Sequence, residues 1–230
     1  IAARQGVGGV MGSKNLKAIV CNGTKPVSGV HTEEIKALAK QCAGRLNMAF
    51  LPPEIPTGLL NITKVLPELQ LSPDGLLTAV LMGTWGTAGA SQFTGQTGEG
   101  PIRNWGGTQK EHFSVRQLNK TDAHQMLKHQ VTRYYCYSCS YGCGGELDIS
   151  KIKHNDAGYS IVHKPEYESQ WDYTAFLLND DNDAMLYINE YLNRQGIDAI
   201  SCGGCVGMAI ECVEHGILTR EDVGGFNLTW

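Results

Sequence analysis

The chain has 230 residues, of which 42% are hydrophobic and 18% are charged, and its formal net charge is -4 at pH 7. This composition is typical of a globular protein with a well-buried core in one or two domains, and it excludes a disordered tail. The slight acidity and the lack of a dense Lys/Arg block argue against nucleic acid or an anionic membrane as the main partner.

Two further features concern the environment of the chain. No apolar run reaches the roughly 20 residues that a membrane span requires, and no signal-peptide pattern is present. The eight cysteines therefore fit a reducing, cytoplasmic compartment better than a disulfide framework. Because the chain opens on Ile1 with a glycine-rich turn and stops at Trp230 after a loop, we expect a piece of a longer polypeptide.

The first predicted element is a glycine-rich loop from Arg4 to Lys17 that leads into a buried strand at Ala18-Ile-Val-Cys21. A dinucleotide-binding or P-loop fingerprint has its glycines after the strand, so this segment is either a tight turn or an anion site. Thr32 then predicts the start of a helix to about Leu46, in which Cys42 belongs to the buried face.

The stretch from Leu51 to Pro101 is rich in Pro, Gly and Thr, which predicts loops and short helices. The second half of the chain is predicted to be mainly helical, because four segments carry an apolar stripe or a capping residue. These segments are about Ala123 to Arg133, Asp183 to Gly196, Val206 to His215, and a start marked by Thr219 and Asp222.

Three cysteines form a C-x2-C-x3-C run at Cys136, Cys139 and Cys143, in a loop that also contains three glycines. Three thiolates in a short loop can wrap one face of a metal cluster and leave a fourth ligand to be found. The spacing is neither the repeated C-x2-C pair of a zinc ribbon nor the run of a bacterial ferredoxin. An iron-sulfur cluster is favoured, with zinc and unligated core cysteines as the alternatives.

Three other patterns allow two interpretations each. Glu166-Tyr-Glu168 could provide a general acid or base, but a solvated pair of glutamates is the commoner case. Asn193 to Asp198 is, by itself, a helix stop followed by a capping aspartate. Cys202 and Cys205 form a C-x2-C pair, for which small core residues are favoured over a redox or metal site.

Taken in order, five segments resemble the aldehyde ferredoxin oxidoreductase family of tungsten, sometimes molybdenum, enzymes. The five segments are Arg4 to Ile19, Pro101 to Trp105, Cys136 to Cys143, Pro165 to Ser169 and Asn193 to Asp198. The resemblance implies a mainly α fold in two parts. Residues 1–28 would close a β-rich cofactor-binding domain, and residues 29–230 would form a predominantly helical domain that carries cluster and pterin ligands.

The resemblance also implies roles for individual residues. Cys136, Cys139 and Cys143 match the first three ligands of the family's 4Fe-4S cluster. Glu168 matches the second glutamate of its Pro-Glu-Tyr-Glu segment, which approaches the metal, and is the expected catalytic residue. The residues implied to bind the pterin cofactor, with magnesium between its phosphates, are Arg4, Gly6, Gly8, Asn193, Gly196, Ile197 and Asp198.

Two departures from the family pattern matter. Asn193 replaces the first aspartate of the pterin motif, which keeps an acceptor but removes a charge. Tyr187 and Glu190 stand where one branch of the family has a Glu-x-x-His iron pair, so we expect that iron site to be absent. The second pterin motif, the fourth cluster cysteine and a catalytic histidine are expected beyond Trp230, so an incomplete active site is expected here.

The implied reaction is oxidation of an aldehyde to a carboxylic acid by a tungsten or molybdenum bis-pterin, with water as the oxygen source. The 4Fe-4S cluster would pass electrons to ferredoxin or to an electron-transfer subunit, in an oxygen-sensitive protein of anaerobic origin. One alternative is the tungsten subunit of a benzoyl-coenzyme A reductase-like complex that acts on an acyl substrate. An alternative of another class is a metal-stabilised interaction module without turnover. The substrate and the oligomeric state are left open.

Overall fold

The computed structural model of the chain describes residues 4–46 and 82–230. Over these residues the protein is mainly helical, as predicted, and it also contains a small sheet. The helices are α1 (Val7–Ser13), α2 (Thr32–Leu46), α3 (Ser91–Thr97), α4 (Val115–Lys120), α5 (Ala123–Leu127), α6 (Tyr167–Asp172), α7 (Asn182–Gln195) and α8 (Ala199–Glu214). Short 3-10 helices cover Arg4–Gly6, Gly86–Ala90 and Ala175–Leu177.

A three-stranded antiparallel sheet follows α5 and was not predicted. Its strands are β1 (Gln130–Tyr134), β2 (Gly144–Asp148) and β3 (Ile161–His163), with β2 in the centre. The predicted helix from Ala123 to Arg133 is therefore wrong beyond Leu127. The physical reason is the sequence Val131-Thr-Arg-Tyr134, because β-branched and aromatic residues favour a pleated, partly buried strand.

Within the described part of the chain, two apolar clusters form the core. The larger one joins the sheet to α5 and α7 through Met126, Leu147, Val162, Met185 and Leu186, all of which are buried. The smaller one surrounds the indole of Trp171 and contains Ile102, Phe113, Leu118, Ala175 and Phe176. Since Trp171 belongs to α6, the second cluster fixes the helix that carries the predicted catalytic glutamate.

The N-terminal segment differs from the sequence expectation. The predicted glycine-rich loop contains helix α1, and the predicted strand at Ala18-Ile-Val-Cys21 is not formed. Ile19 and Val20 are 69% and 90% exposed. A strand requires a hydrogen-bonding neighbour, and no strand within residues 4–46 and 82–230 pairs with this segment.

Helix α2 has the predicted bounds, but its apolar side chains Ile35 and Leu38 are exposed. Ile35 and Leu38 are both 60% exposed, and Cys42 is exposed rather than part of a core. Most of the predicted loop-rich stretch, residues 51–81, lies outside the described residues. Its last part, residues 82–101, forms short helices and turns, as expected.

The C-terminal helices follow their capping residues. Asp181, not Asp183, caps α7, because its carboxylate accepts from two backbone N–H groups at 2.9 and 3.2 Å. The predicted stop at Gly196 is confirmed, with φ of 72°. Helix α8 begins well before the predicted Val206. At Asp222 the carboxylate accepts from the Thr219 N–H and hydroxyl at 2.8 and 2.7 Å, but a turn forms there instead of the predicted helix.

All eight cysteines lie in the described part of the chain, and each is unpaired. Among the described residues, no single helix is long and apolar enough to cross a membrane. Helices α7 and α8 together reach the required length and composition, but a bend of 114° separates them.

Candidate functional site

The three cysteines of the C-x2-C-x3-C run lie in the loop that joins β1 to β2. The N–H of Cys139 donates to the carbonyl oxygen of Cys136 at 3.0 Å, and Ser138 has a left-handed backbone with φ of 57°. Gly142 also has a positive φ, 56°, and a Cβ on it would lie 2.2 Å from the Tyr135 ring. Glycine is therefore required at this position, where the loop turns sharply before its third cysteine.

The thiols of the loop differ in how readily they ionise. Backbone N–H groups of Gly142 and Tyr141 donate to Cys139 Sγ and lower the pKa of this thiol, with Tyr141 N at 3.4 Å. Burial, followed by the negative charge of Glu166, raises the pKa of the Cys143 thiol. Because the thiolate is the metal-binding form, Cys139 is prepared for ligation, and a bound cation would be needed to ionise Cys143 at neutral pH.

The donor chemistry of the loop fits a thiolate-bound metal cluster. Cys139 and Cys143 are half-buried and interact electrostatically, whereas Cys136 is exposed. Within residues 4–46 and 82–230, however, no three His, Cys, Asp or Glu side chains are grouped as a metal site. Ligation of a cluster by the three cysteines therefore stays a prediction, supported by soft sulfur donors and by N–H groups that point at one of them.

Arg133, in β1, braces the cysteine loop. Its guanidinium donates to the carbonyl oxygens of Tyr141, Gly142 and Gly83 and lies 5.6 Å from the centroid of the Tyr135 ring. A planar fork with five N–H donors can make these contacts together, and a lysine ammonium cannot reproduce them. Sequence reasoning missed Arg133, because Gly83 is distant in the chain and no motif links the two residues.

A buried cation lies behind the same loop. Lys164 is only 6% exposed, and its Nζ donates to the carbonyl oxygen of Trp85 at 3.1 Å. Burial and then the charge of Arg133 lower the pKa of Lys164 to about 8, while Glu166 and Cys143 act in the opposite direction. The side chain is therefore mostly protonated at pH 7 and places positive charge near the third thiol of the loop.

Helix α6 carries the predicted catalytic glutamate in its first turn. Glu166 stands at the N-cap position, where its carboxylate accepts a hydrogen bond from the Thr87 hydroxyl. The N–H of Tyr167 donates to the same hydroxyl oxygen at 3.1 Å, and its phenol donates to Thr94 at 2.9 Å. Glu168 is exposed, so the start of the helix is fixed while this carboxylate is accessible. Its catalytic role stays a prediction.

The segment from Asn193 to Asp198 is the turn between α7 and α8. The N–H of Gly196 donates to the carbonyl oxygen of Asn193 at 3.2 Å, and the N–H of Ile197 donates to the carbonyl oxygen of Leu192 at 3.0 Å. This is the hydrogen-bond pattern of a Schellman turn. Asp198 then caps α8 by accepting a backbone N–H at 2.9 Å. The predicted helix stop and capping aspartate are confirmed, and pterin binding by these four residues stays a prediction.

The other predicted pterin-binding residues belong to the N-terminal segment. Arg4 and Gly6 lie in a 3-10 helix, and Gly6, with φ of 77°, precedes α1. Gly8 is a half-buried residue of α1, whereas Arg4 and Gly6 are exposed. Residues 4–13 are therefore helical, and the glycine-rich loop that the sequence predicted is not formed there. The charge of Arg4 nevertheless lowers the pKa of Asp172, so Arg4 lies in the neighbourhood of α6.

Asp172, the last residue of α6, links the separate segments of the candidate site. Its side chain is 7% exposed, and its pKa is raised to about 7 by burial, then by Glu168 and Asp198, with Arg4 acting against them. Three predicted site residues from different parts of the chain therefore lie near enough to one buried carboxylate to change its pKa. Sequence reasoning missed Asp172, although its i+4 spacing places it on the same helical face as Glu168.

The sequence model of the family described as "Aldehyde ferredoxin oxidoreductase, domains 2 & 3" matches residues 69–230. This match covers more than half of the chain and includes the cysteine loop, α6 and the turn between α7 and α8. The chain therefore belongs to the aldehyde ferredoxin oxidoreductase family, which confirms the resemblance inferred from its motifs.

Three curated relatives illustrate the similarity. The tungsten-containing aldehyde ferredoxin oxidoreductases of Pyrococcus horikoshii and Thermococcus kodakarensis are 30% and 28% identical over 98% and 97% of this chain. A protein of Pyrococcus furiosus described as "Aliphatic sulfonate oxidoreductase, WOR-like subunit" is 27% identical over 98% of the chain. The aligned regions make up 30–31% of these relatives, so the chain spans about a third of their length.

Proposed function

We propose that this chain contributes to an oxidoreductase that uses a tungsten-pterin cofactor to convert aldehydes to carboxylic acids. Membership of the family and the names of two relatives support this proposal. A 4Fe-4S cluster, ferredoxin or an electron-transfer subunit as acceptor, magnesium at the pterin phosphates and an oligomeric assembly belong to the same proposal. Molybdenum in place of tungsten is compatible with it.

The observation that carries the proposal is the meeting of three sequence segments at Asp172. Arg4, Glu168 and Asp198 are far apart in the chain, yet the charge of each acts on this one buried carboxyl group. Each was singled out because its segment resembles a segment of the family, independently of the other two. A common location is expected of residues that serve one cofactor and one reacting centre.

Each part of the chain then has a role. Three cluster ligands would come from the cysteine loop, as Cys136, Cys139 and Cys143. The pterin would be held by Arg4, Gly6, Gly8, Asn193, Gly196, Ile197 and Asp198. The metal-pterin group, when bound, supplies an acceptor for the two electrons that leave the aldehyde. Arg133 and Lys164 keep positive charge near the cysteine loop, which favours the arrival of electrons there.

Glu168 would act on the attacking water. Aldehyde and water together give the carboxylic acid, two protons and two electrons. When the water oxygen forms its bond to the aldehyde carbon, an O–H bond of that water breaks and its proton passes to the Glu168 carboxylate. The aldehyde C–H bond also breaks: its two electrons would go to the metal-pterin group, and its hydrogen would leave as the second proton. An exposed position at the start of α6 lets this carboxylate reach a substrate and later release the proton.

The direct test is elemental analysis of the full-length protein purified without oxygen. We expect about one tungsten or molybdenum and about four iron atoms per chain, together with aldehyde-dependent reduction of ferredoxin. Cys139→Ser should lower the iron content, whereas Cys205→Ser, at an exposed cysteine outside the loop, should not. Zinc without either heavy metal would reject the proposal and favour the metal-stabilised interaction module.

A second substrate class is favoured by one specific observation. The relative named as an aliphatic sulfonate oxidoreductase subunit aligns over the same share of the chain, with an identity of 27% compared with 30% for the first aldehyde enzyme. Aliphatic sulfonates therefore belong in the substrate assay beside aldehydes. An acyl-coenzyme A assay tests the benzoyl-coenzyme A reductase-like alternative in the same experiment.

A further inference from the structure

Asp172 is a buried residue in which one carboxylate oxygen accepts no hydrogen bond from the described residues. Only 7% of the residue is exposed, and its Oδ2 is buried without a hydrogen-bond partner among the described residues. The side chain packs on the first turns of α8. A Cβ added to Gly203 would lie 2.8 Å from Asp172 Cβ and 3.4 Å from Oδ2. A glycine is thus needed on α8 to admit the carboxylate.

The charged groups near this carboxylate limit which kind of group can donate a hydrogen bond to it. Glu168 on α6 and Asp198 at the start of α8 are acidic, and Arg4 of the N-terminal 3-10 helix is the cation that acts on it. Arg4 makes neither a hydrogen bond nor an ion pair with Asp172 Oδ2 in the structure. The phenols of Tyr167 and Tyr173 lie near enough for Asp172 to raise their pKa values.

A buried acceptor without a donor is rare in folded proteins and costly, because the group has lost water without gaining a partner. Such an atom requires a specific explanation, and a ligand that supplies the missing hydrogen bond is one. Between two other carboxylates, the ligand must present N–H groups rather than further oxygen acceptors. A pterin ring has such an edge, formed by a ring N–H and the amino group of its pyrimidine half.

We propose that Asp172 is an additional cofactor-binding residue, whose Oδ2 accepts a hydrogen bond from an N–H group of the bound pterin ring. This inference rests on the proposed function, because it requires a pterin in the site. It adds a residue from α6 to a binding site otherwise assigned to the N-terminal segment and to the turn before α8. It also places a cofactor contact one helical turn from the predicted catalytic Glu168.

Binding of this kind depends on pH in a definite direction. Burial and the neighbouring acids raise the pKa of Asp172 to about 7, and an N–H donor favours the ionised form. Below pH 7 a proton must leave before the hydrogen bond forms. Affinity should therefore fall as the pH falls, by at most about tenfold per pH unit, and should be constant above pH 7.

The test uses the full-length protein purified without oxygen, in wild-type form and as Asp172→Asn. Pterin per chain is measured by fluorescence after oxidative extraction, and its rate of loss is followed from about pH 5.5 to 8.5. Asp148→Asn is the matched control, because Asp148 is an exposed carboxylate outside the site. Thermal unfolding shows that each variant is folded, and Asp172→Ala, which removes the acceptor altogether, is the second variant.

Wild type and the control should retain pterin above pH 7 and lose it progressively faster at lower pH. Asp172→Asn, which keeps an acceptor but loses the charge, should lose pterin roughly tenfold faster at pH 8 and without pH dependence, and Asp172→Ala faster still. Pterin in the wild type with unchanged retention in both variants would overturn the inference and leave the proposed function standing. A wild type without any pterin would overturn both.

Discussion

The cofactor-free protein should become more stable at alkaline pH when Asp172 is replaced by asparagine. Burial and then the charge of Glu168 raise the pKa of this carboxyl from 3.8 to about 7, so the folded state disfavours its ionised form. A difference of about three pKa units corresponds to about 4 kcal/mol for a fully shielded group. Because solvent and the relaxation of neighbouring groups reduce such a difference in a real protein, we expect a gain of about 2 kcal/mol.

The difference in stability between the wild type and Asp172→Asn depends on pH. Below 3.8, the carboxyl is protonated in both states, and the removal of its charge has no consequence. From about pH 4 to 7 the unfolded chain has lost the proton and the folded chain retains it, so the stability of the wild type falls relative to Asp172→Asn. Above pH 7 both states are ionised, and the difference is constant and complete.

Urea unfolding of the two proteins at about pH 4.5, 6 and 8 measures the difference in free energy of unfolding. Asp148→Asn is a control of opposite sign, because hydrogen bonds from Ser150 lower the pKa of Asp148 and their contribution, present near neutral pH, is lost as the pH falls. An Asp172→Asn protein that is less stable than the wild type at pH 8, or a difference that does not vary with pH, would refute the reasoning.

Gly203→Ala places a Cβ 2.8 Å from Asp172 Cβ and should lower the free energy of unfolding by roughly 1–3 kcal/mol. Gly204→Ala meets nothing within 4 Å and should leave the thermal midpoint unchanged or higher. Arg133→Lys removes the guanidinium that holds three loop carbonyls and should reduce iron per chain, measured beside the wild type. Glu168→Gln removes a charge that raises the pKa of Asp172, so the protonated-carboxyl infrared band should disappear at a lower pH. An unshifted band would contradict this contact.

Local sequence signals predicted helices better than strands in this chain. The helix from Thr32 to Leu46 and the stop at Gly196 depend on caps and on apolar periodicity within a few residues, and both are confirmed. The strand at Ala18 to Cys21 is wrong because a strand depends on a neighbour that its own sequence does not specify. The exposure of Cys42 has the same cause, since an apolar stripe indicates a face but not what covers it.

The candidate site divides in a similar way. Spacing and residue type were enough to single out the cysteine loop, because ligand chemistry is a property of the side chains themselves. The hairpin that holds the loop and its brace by Arg133 depend on contacts with Gly83, which is far away in sequence. The role of Asp172 can be inferred only from the packing of α8 against α6, which buries one carboxylate oxygen without a donor among the described residues.

Helix α6 connects the two parts of the candidate site. Glu166, at its start, raises the pKa values of Cys143 and Lys164, and Asp172, at its end, faces α8. About 9 Å of helix separates Glu166 from Asp172.

Side chains fix this helix along its length. Tyr167 bonds Thr94 at 2.9 Å, the indole of Trp171 donates to Pro101 at 2.6 Å, and Gln170 donates to the carbonyl oxygen of Thr121. A short helix gains little stability by itself, so these contacts are what hold it. Rigid support of this kind is what a site needs if it must keep a proton acceptor, a cofactor contact and a cluster loop at constant separation.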